Sequence, residues 1–229
     1  MLEFWVSLVI FMASHSVIAR SGLRGLIVQK WGEKTYLTLY SVLSLILLTW
    51  LIIAAQNATR IQLWPWLYEL YWIPNIFMPL ACIFLVSGFV VPNPLSIAAK
   101  NKGFDPERPG FIVALTRHPI LWGFFLWSAS HVVPNGEYPL IVMFGIFAGF
   151  SLIGLKIVDR KRKRELGMEQ WDILAKNTHA VLFSSRSLWS GRFQFTRYDI
   201  TGIISGLFVY FLLYSLHETL FGINPMPPM

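Results

Sequence analysis

Of 229 residues, 55% are hydrophobic and 16% aromatic, while charged residues make up 14%, against roughly 25% in soluble domains. That surplus of apolar side chains cannot fit inside one soluble core and has to face lipid, so the composition predicts a polytopic membrane protein. The same hydrophobicity excludes intrinsic disorder, and a single cysteine, Cys82, excludes a disulfide scaffold.

Uncharged or nearly uncharged windows lie at 4–19, 36–55, 71–91, 117–133, 138–155 and 199–221. Each is close to the ~20 residues a helix needs to cross a bilayer, and in hydrocarbon every backbone polar group has to bond within its own segment. The expected fold is all-α, a polytopic membrane helix bundle of six transmembrane helices. The first window starts without a basic region and has no small-residue cleavage site before Arg20, so it is expected to be a retained helix and not a signal peptide. The whole chain, 1–229, reads as one membrane domain. Its stretch 159–198 is too short for a domain of its own, and Asp159 to Phe183 reads as an amphipathic helix with Leu166, Trp171, Ile173, Leu174 and Val181 on its apolar side.

Every lysine and arginine except Arg60 falls in three segments: after the first window (Arg20, Arg24, Lys30, Lys34), from Lys100 to Arg117, and from Lys156 to Arg197. The positive-inside rule places these segments in the cytoplasm and both termini outside, in what is expected to be a bacterial inner membrane. The net charge of +7 is therefore a topology signal. The run Arg160 to Arg164 is expected to touch anionic lipid and not nucleic acid.

Polar groups at membrane depth are costly, which makes the histidines candidates. His15 lies in the first window, His118 opens the fourth within Thr116-Arg117-His118-Pro119, His131 closes it, and His217 stands near the end of the sixth beside Glu218. Thr116 can cap the fourth helix, Pro119 suits its first turn, and the helix N-terminus with Arg117 and His118 forms a corner that could hold a phosphate, carboxylate or propionate. His118 and His131 are separated by ~20 Å along an ideal helix and ~140° around it, so they cannot share one small site. Depth alone groups His15 with His118 and His131 with His217. A histidine pair on neighbouring apolar helices suits haem b, since neutral imidazole is a good iron ligand and the bundle excludes water.

Several blocks together resemble the NnrU family, which includes zeta-carotene isomerases: Ser14-His15-Ser16 with Arg20 and Arg24, Gly32-Glu33-Lys34 leading to Leu39-Tyr40-Ser41, Val91-Pro92-Asn93-Pro94, Thr116-Arg117-His118-Pro119 with Trp122-Gly123, Leu126-Trp127 with His131, Asn135-Gly136, and Asp159-Arg160. The resemblance implies a multispanning membrane protein linked to denitrification and nitric oxide reduction. Its isomerase branch implies haem b, with His15 and His131 at the ligand positions and a redox-dependent exchange of axial ligand. The switching cysteine of that branch falls on Ser128, and a serine hydroxyl cannot replace a thiolate as an iron ligand. The turn Arg117-His118-Pro119 with Gly123 is also similar to one in membrane methyltransferases that bind S-adenosylmethionine, with Leu121 where they carry tyrosine.

The expected cofactor is thus haem b, with His15 and His131 as metal ligands and His118 and Arg117 as further cofactor-binding candidates; the catalytic residues stay open. The leading expectation is a haem protein of nitrogen-oxide metabolism. Carotenoid cis-trans isomerisation, methyl transfer and an assembly role are the alternatives. Expected partners are membrane lipid, a hydrophobic small molecule and another membrane oxidoreductase.

Overall fold

The computed structural model describes residues 1–17, 23–65 and 67–226, with the side chains of Ser16, Val17, Leu23, Arg24, Arg186 and Ser187 left aside. Every regular element among these residues is a helix: α1 Leu2–Val17, α2 Leu23–Gln56, α3 Trp72–Val90, α4 Phe111–Leu115, α5 Pro119–Asn135, α6 Tyr138–Leu166, α7 Met168–Ala175, α8 Arg186–Trp189 and α9 Arg197–Phe221. Among the described residues four stretches are long and apolar enough to cross a membrane: Gly25–Gln56, Tyr68–Val90, Tyr138–Leu166 and Arg197–Phe221. Leu2–His15 is apolar but shorter. The 17 residues of α5 rise by about 25 Å, at the lower limit for a span.

The chain divides into two compact units, one comprising Met1–Pro65 with Gly136–Met143, the other Trp66–Asn135 with Phe144–Met229. In the first, α1 packs on α2 through the fully buried Phe4 and Leu51, and the Trp50 indole N–H donates to the Glu3 carboxylate at 3.1 Å. Gly32 interrupts α2 with φ 85° and ψ 161°. The loop after α2 is tied to residues 136–138, with Leu63 N–H donating to the Gly136 carbonyl and Tyr138 N–H to that of Ile61. Arg20, expected in the cytoplasmic turn after the first span, lies outside the described residues.

In the second unit α3 is the hub, packed against both α5 and α9. Small residues let the backbones close in, the usual solution where lipid removes any hydrophobic drive between helices. A Cβ on Gly123 would lie 2.6 Å from Leu85 Cγ and 2.9 Å from the Ala81 carbonyl oxygen, and one on Gly206 would lie 2.5 Å from Ile83 Cα. The start of α9 is set by a capping box between Thr196 and Asp199. Asp199, fully buried, also accepts from the Ile112 N–H at 3.0 Å, which ties α9 to α4. Elsewhere α9 presents Ile204, Phe208 and Phe211 outward, each more than 60% exposed, the surface of a helix in contact with lipid.

One local expectation is corrected. Asp159 to Phe183 is not a single amphipathic helix. Helix α6 runs on to Leu166, Gly167 breaks it at φ 79°, α7 covers only Met168–Ala175, and the chain from Lys176 to Ser185 leaves the helix to lie against the turn before α5. A left-handed glycine ends the first helix, and the backbone carbonyls needed at the turn can be supplied only by non-helical chain. Of the expected apolar side, Trp171 is buried while Ile173 and Val181 are exposed.

Candidate functional site

Helix α5 carries polar side chains at both ends, and both groups belong to the second unit. At its start, Thr116 leaves α4 in an extended conformation and its hydroxyl accepts from the His118 N–H, the capping role expected for it, while donating to the Ala180 carbonyl at 2.9 Å. Arg117 grips Asp159 of α6 in a two-point pair, Nε to Oδ1 at 2.9 Å and Nη2 to Oδ2 at 2.5 Å, and its Nη1 reaches the Thr178 carbonyl at 3.3 Å. His118 Nε2 lies 2.7 Å from Asp159 Oδ1. A carboxylate only accepts, so this nitrogen carries the hydrogen. The guanidinium stacks over Trp171 at 5.2 Å. The backbone is held as firmly: Arg117 N–H donates to the His179 carbonyl, Asn93 donates to the Arg117 carbonyl, and the Trp122 indole donates to Ala180.

This corner is full. The place where an external anion was expected is taken by the protein's own carboxylate, and each nitrogen of the guanidinium has a partner. His118 is 1% exposed, and its remaining nitrogen, Nδ1, is buried without a hydrogen-bond partner.

The other end of α5 is open. His131, Pro134, Asn135, His217, Tyr210 and Tyr214 are among the residues lining a shallow open cleft between the ends of α3, α5 and α9. The His131 ring stacks on Phe144 at 5.1 Å and its Nδ1 is 2.7 Å from the Trp127 carbonyl one turn back. A carbonyl cannot donate, so Nδ1 holds the hydrogen and Nε2 of the neutral ring keeps its lone pair. His217 repeats the pattern: after α9 ends at the left-handed Gly222, the chain folds back and the Ile223 carbonyl sits 2.7 Å from His217 Nδ1. Ser128 does not line the cleft; it is fully buried and its hydroxyl donates to the Phe124 carbonyl, the self-satisfying bond expected of serine in an apolar helix.

His15 belongs to the first unit. Its Nδ1 lies 2.9 Å from the Phe11 carbonyl, again leaving Nε2 as the lone-pair nitrogen, and its ring meets Tyr40 edge-on at 5.6 Å.

The family model for the NnrU protein matches residues 3–225, nearly the whole chain. The chain belongs to the NnrU family. No curated protein and no solved structure matches it. In this NnrU chain the separate sequence blocks converge: Asn93, Thr116-Arg117-His118 and Asp159 form one network. Of the candidate residues, Arg117 and His118 meet each other through Asp159, while His131 and His217 line one cleft at the other end of the same helix. Among the described residues no cluster of three or more His, Cys, Asp or Glu is placed to hold a metal ion. Sequence reasoning passed over Asp199, whose only local signal was the Thr196-x-x-Asp199 capping pattern, and did not pair Asp159 with Arg117.

Proposed function

We propose that this NnrU protein is a haem b protein of a bacterial inner membrane that works in nitrogen-oxide metabolism, in company with a membrane oxidoreductase. One observation carries the haem reading: the His131 ring, held by the Trp127 carbonyl and by Phe144 so that Nε2 keeps its lone pair, is among the residues lining a largely apolar cleft. That is the support metal-binding histidines need, a backbone acceptor that fixes tautomer and ring orientation. The donor chemistry fits: neutral imidazole suits iron, and Met78, Pro74, Leu213 and the tyrosines supply the mostly apolar walls that a porphyrin face requires. Bound there, haem would supply a redox-active iron. The protein's own part would be to hold the ligating ring, with Tyr210 and Tyr214 among the residues that line the cleft. His118 is the weaker candidate for ligation, because its Nε2 hydrogen is committed to Asp159 and its other nitrogen is buried.

The membrane arrangement that goes with this reading has six spans, α1, α2, α3, α5, α6 and α9, with both termini outside. It is supported by the clustering of all cations but Arg60 in three alternate segments. A reporter active only in the cytoplasm is expected to be active when fused after Arg164 and silent when fused after Met229; the opposite pattern would overturn the orientation.

The direct test of the cofactor is a pyridine haemochrome spectrum of the full chain, purified in mild detergent after expression with haem supply. A b-type spectrum is expected, lost in His131→Ala and kept in His118→Ala. Colourless wild-type protein would sink the haem reading.

A further inference from the structure

We propose that the segment 183–197 seats on the membrane surface and binds anionic phospholipid there, with Phe183 and Trp189 entering the headgroup layer and Arg192 and Arg197 holding lipid phosphate. Helix α9 is long and apolar enough to cross a membrane and begins at Arg197, so the residues just ahead of it lie at a membrane face whichever way the chain runs. In the orientation proposed above this is the cytoplasmic face. The segment is apolar where a water-facing loop would be polar: Trp189 is 77% exposed, and Phe183 and Phe195 are each 56% exposed. The Trp189 indole N–H donates to the Phe183 carbonyl at 2.6 Å, which joins these two residues and leaves the exposed indole with no polar group to satisfy. Such a ring can leave water without losing a hydrogen bond. Phe183 itself is held at φ 59°, a left-handed conformation that bulky residues seldom take and that persists only where the surroundings impose it.

The rest of the second unit supplies that constraint. Phe183 N–H donates to the Leu115 carbonyl at 3.2 Å, the Ser185 hydroxyl donates to that of Asn177 at 2.8 Å, and Gln194 reaches Pro109 and Arg108 through its backbone and side-chain N–H groups. Phe195 stacks on Phe111 at 4.9 Å. The exposed rings therefore stand on a fixed platform and not on a free loop tip. Charge complements them. No aspartate or glutamate occurs from Ile173 to Tyr198, a stretch that carries Lys176, Arg186, Arg192 and Arg197. Arg192 and Arg197 are exposed, neither has a carboxylate partner among the described residues, and Arg197 donates instead to the Tyr198 hydroxyl at 3.2 Å. Lys102 adds to this corner, since a Cβ on its neighbour Gly103 would lie 3.8 Å from Tyr198 Cε2. The run Arg160 to Arg164 is less available: Lys161 and Arg162 pair with Glu165, and Lys163 lies over Trp171 at 5.2 Å. A rigid apolar surface beside unpaired cations, at the foot of a spanning helix, complements an anionic lipid surface, whose phosphates attract the arginines while its acyl boundary takes the rings.

The test places a nitroxide at the exposed position of Ser190→Cys in the full chain, with wild type, whose single Cys82 is buried, as the labelling control. The labelled protein is reconstituted into nanodiscs of phosphatidylcholine alone or with phosphatidylglycerol. Electron paramagnetic resonance then compares collisions of the label with oxygen, which concentrates in lipid, and with a neutral, water-soluble nickel chelate. In anionic discs the label should sit in the headgroup layer, with an oxygen-to-nickel ratio several-fold higher than in neutral discs. Arg192→Gln should remove much of that rise, since one cation beside an anionic surface is worth roughly fivefold in association. Arg160→Gln, the same charge change elsewhere, should leave it in place. If Ser190→Cys lowers the thermal midpoint, Ser184→Cys beside Phe183 serves instead. A label reached freely by nickel in both discs overturns the inference. So does a ratio indifferent to phosphatidylglycerol or to Arg192→Gln, or one that falls equally in Arg160→Gln. A label reached by neither probe means that protein covers the segment, from a second copy or another chain, and overturns it as well.

Discussion

The two ends of α5 make opposite use of histidine. At its start, His118 is buried against Asp159, Arg117 fills the rest of the carboxylate, and the surrounding carbonyls of Thr178, His179 and Ala180 take the remaining donors. At its end, His131 shares an open cleft with His217, and each ring gives one hydrogen to a carbonyl and keeps one lone pair. A polar network whose strong donors are spent on its own acceptors is a clasp. It holds α5, α6 and the 176–185 segment together, and it has little left to offer a ligand. A site needs unspent bonding capacity next to empty space, and only the second end has both. A charged motif is therefore a weak guide to where the chemistry is, since the pair that made Arg117-His118 conspicuous is the reason it is closed.

Removing the carboxylate at the clasp gives the largest expected effect. Asp159→Ala leaves a largely buried guanidinium without its partner, with Arg117 and Asp159 side chains 12% and 17% exposed, and breaking a buried pair in this way costs about 3–5 kcal/mol. Thermal unfolding in detergent should show a marked fall in midpoint, while any folded fraction keeps its haem spectrum. An unchanged midpoint would mean that the clasp is not structural.

Next comes the packing that sets where the open end lies. Gly123→Val would drive its side chain into Leu85 and the Ala81 carbonyl across the α3 contact, an overpacking worth about 1–3 kcal/mol. The same displacement should weaken haem retention, because α5 carries His131 away from α3 and α9. Full retention in a destabilised variant would show that the cleft does not depend on this contact.

The smallest effect is expected one turn from the open end. Ser128→Cys replaces a hydroxyl that only serves its own helix, so stability should change by less than about 1 kcal/mol. Because Ser128 does not line the cleft, the ferric spectrum should match wild type. A shift toward thiolate ligation would place this position beside the iron and bring the site closer to the isomerase type.

Much of the fold was legible because helix formation in lipid is local. The apolar windows at 71–91, 117–133 and 199–221 match α3, α5 and α9 to within a few residues, and Thr116 marked a helix start through short-range capping. The window at 36–55 matches the part of α2 that follows the break at Gly32, while the helical turns from Leu23 to Trp31 ahead of the break were expected as a turn. The end of the basic region was misread because an apolar periodicity from Asp159 to Phe183 does not reveal that Gly167 takes a positive φ and that the chain after Ala175 is drawn off to supply carbonyls to a turn some 60 residues earlier, as in the Thr116 to Ala180 bond with its separation of 64.

For the candidate site the division is the same. Sequence alone determined that histidines stand near the ends of apolar helices and that His131 falls with His217 by depth, since helix rise converts residue number into height. Only the tertiary structure decided that Asp159 faces Arg117 and that His131 and His217 line a common cleft. Those pairings depend on how each helix is rotated about its axis, and that rotation is set by where Gly123 and Gly206 allow α5 and α9 to settle on α3. Height along a helix is a property of one segment, whereas azimuth is a property of the contact between two.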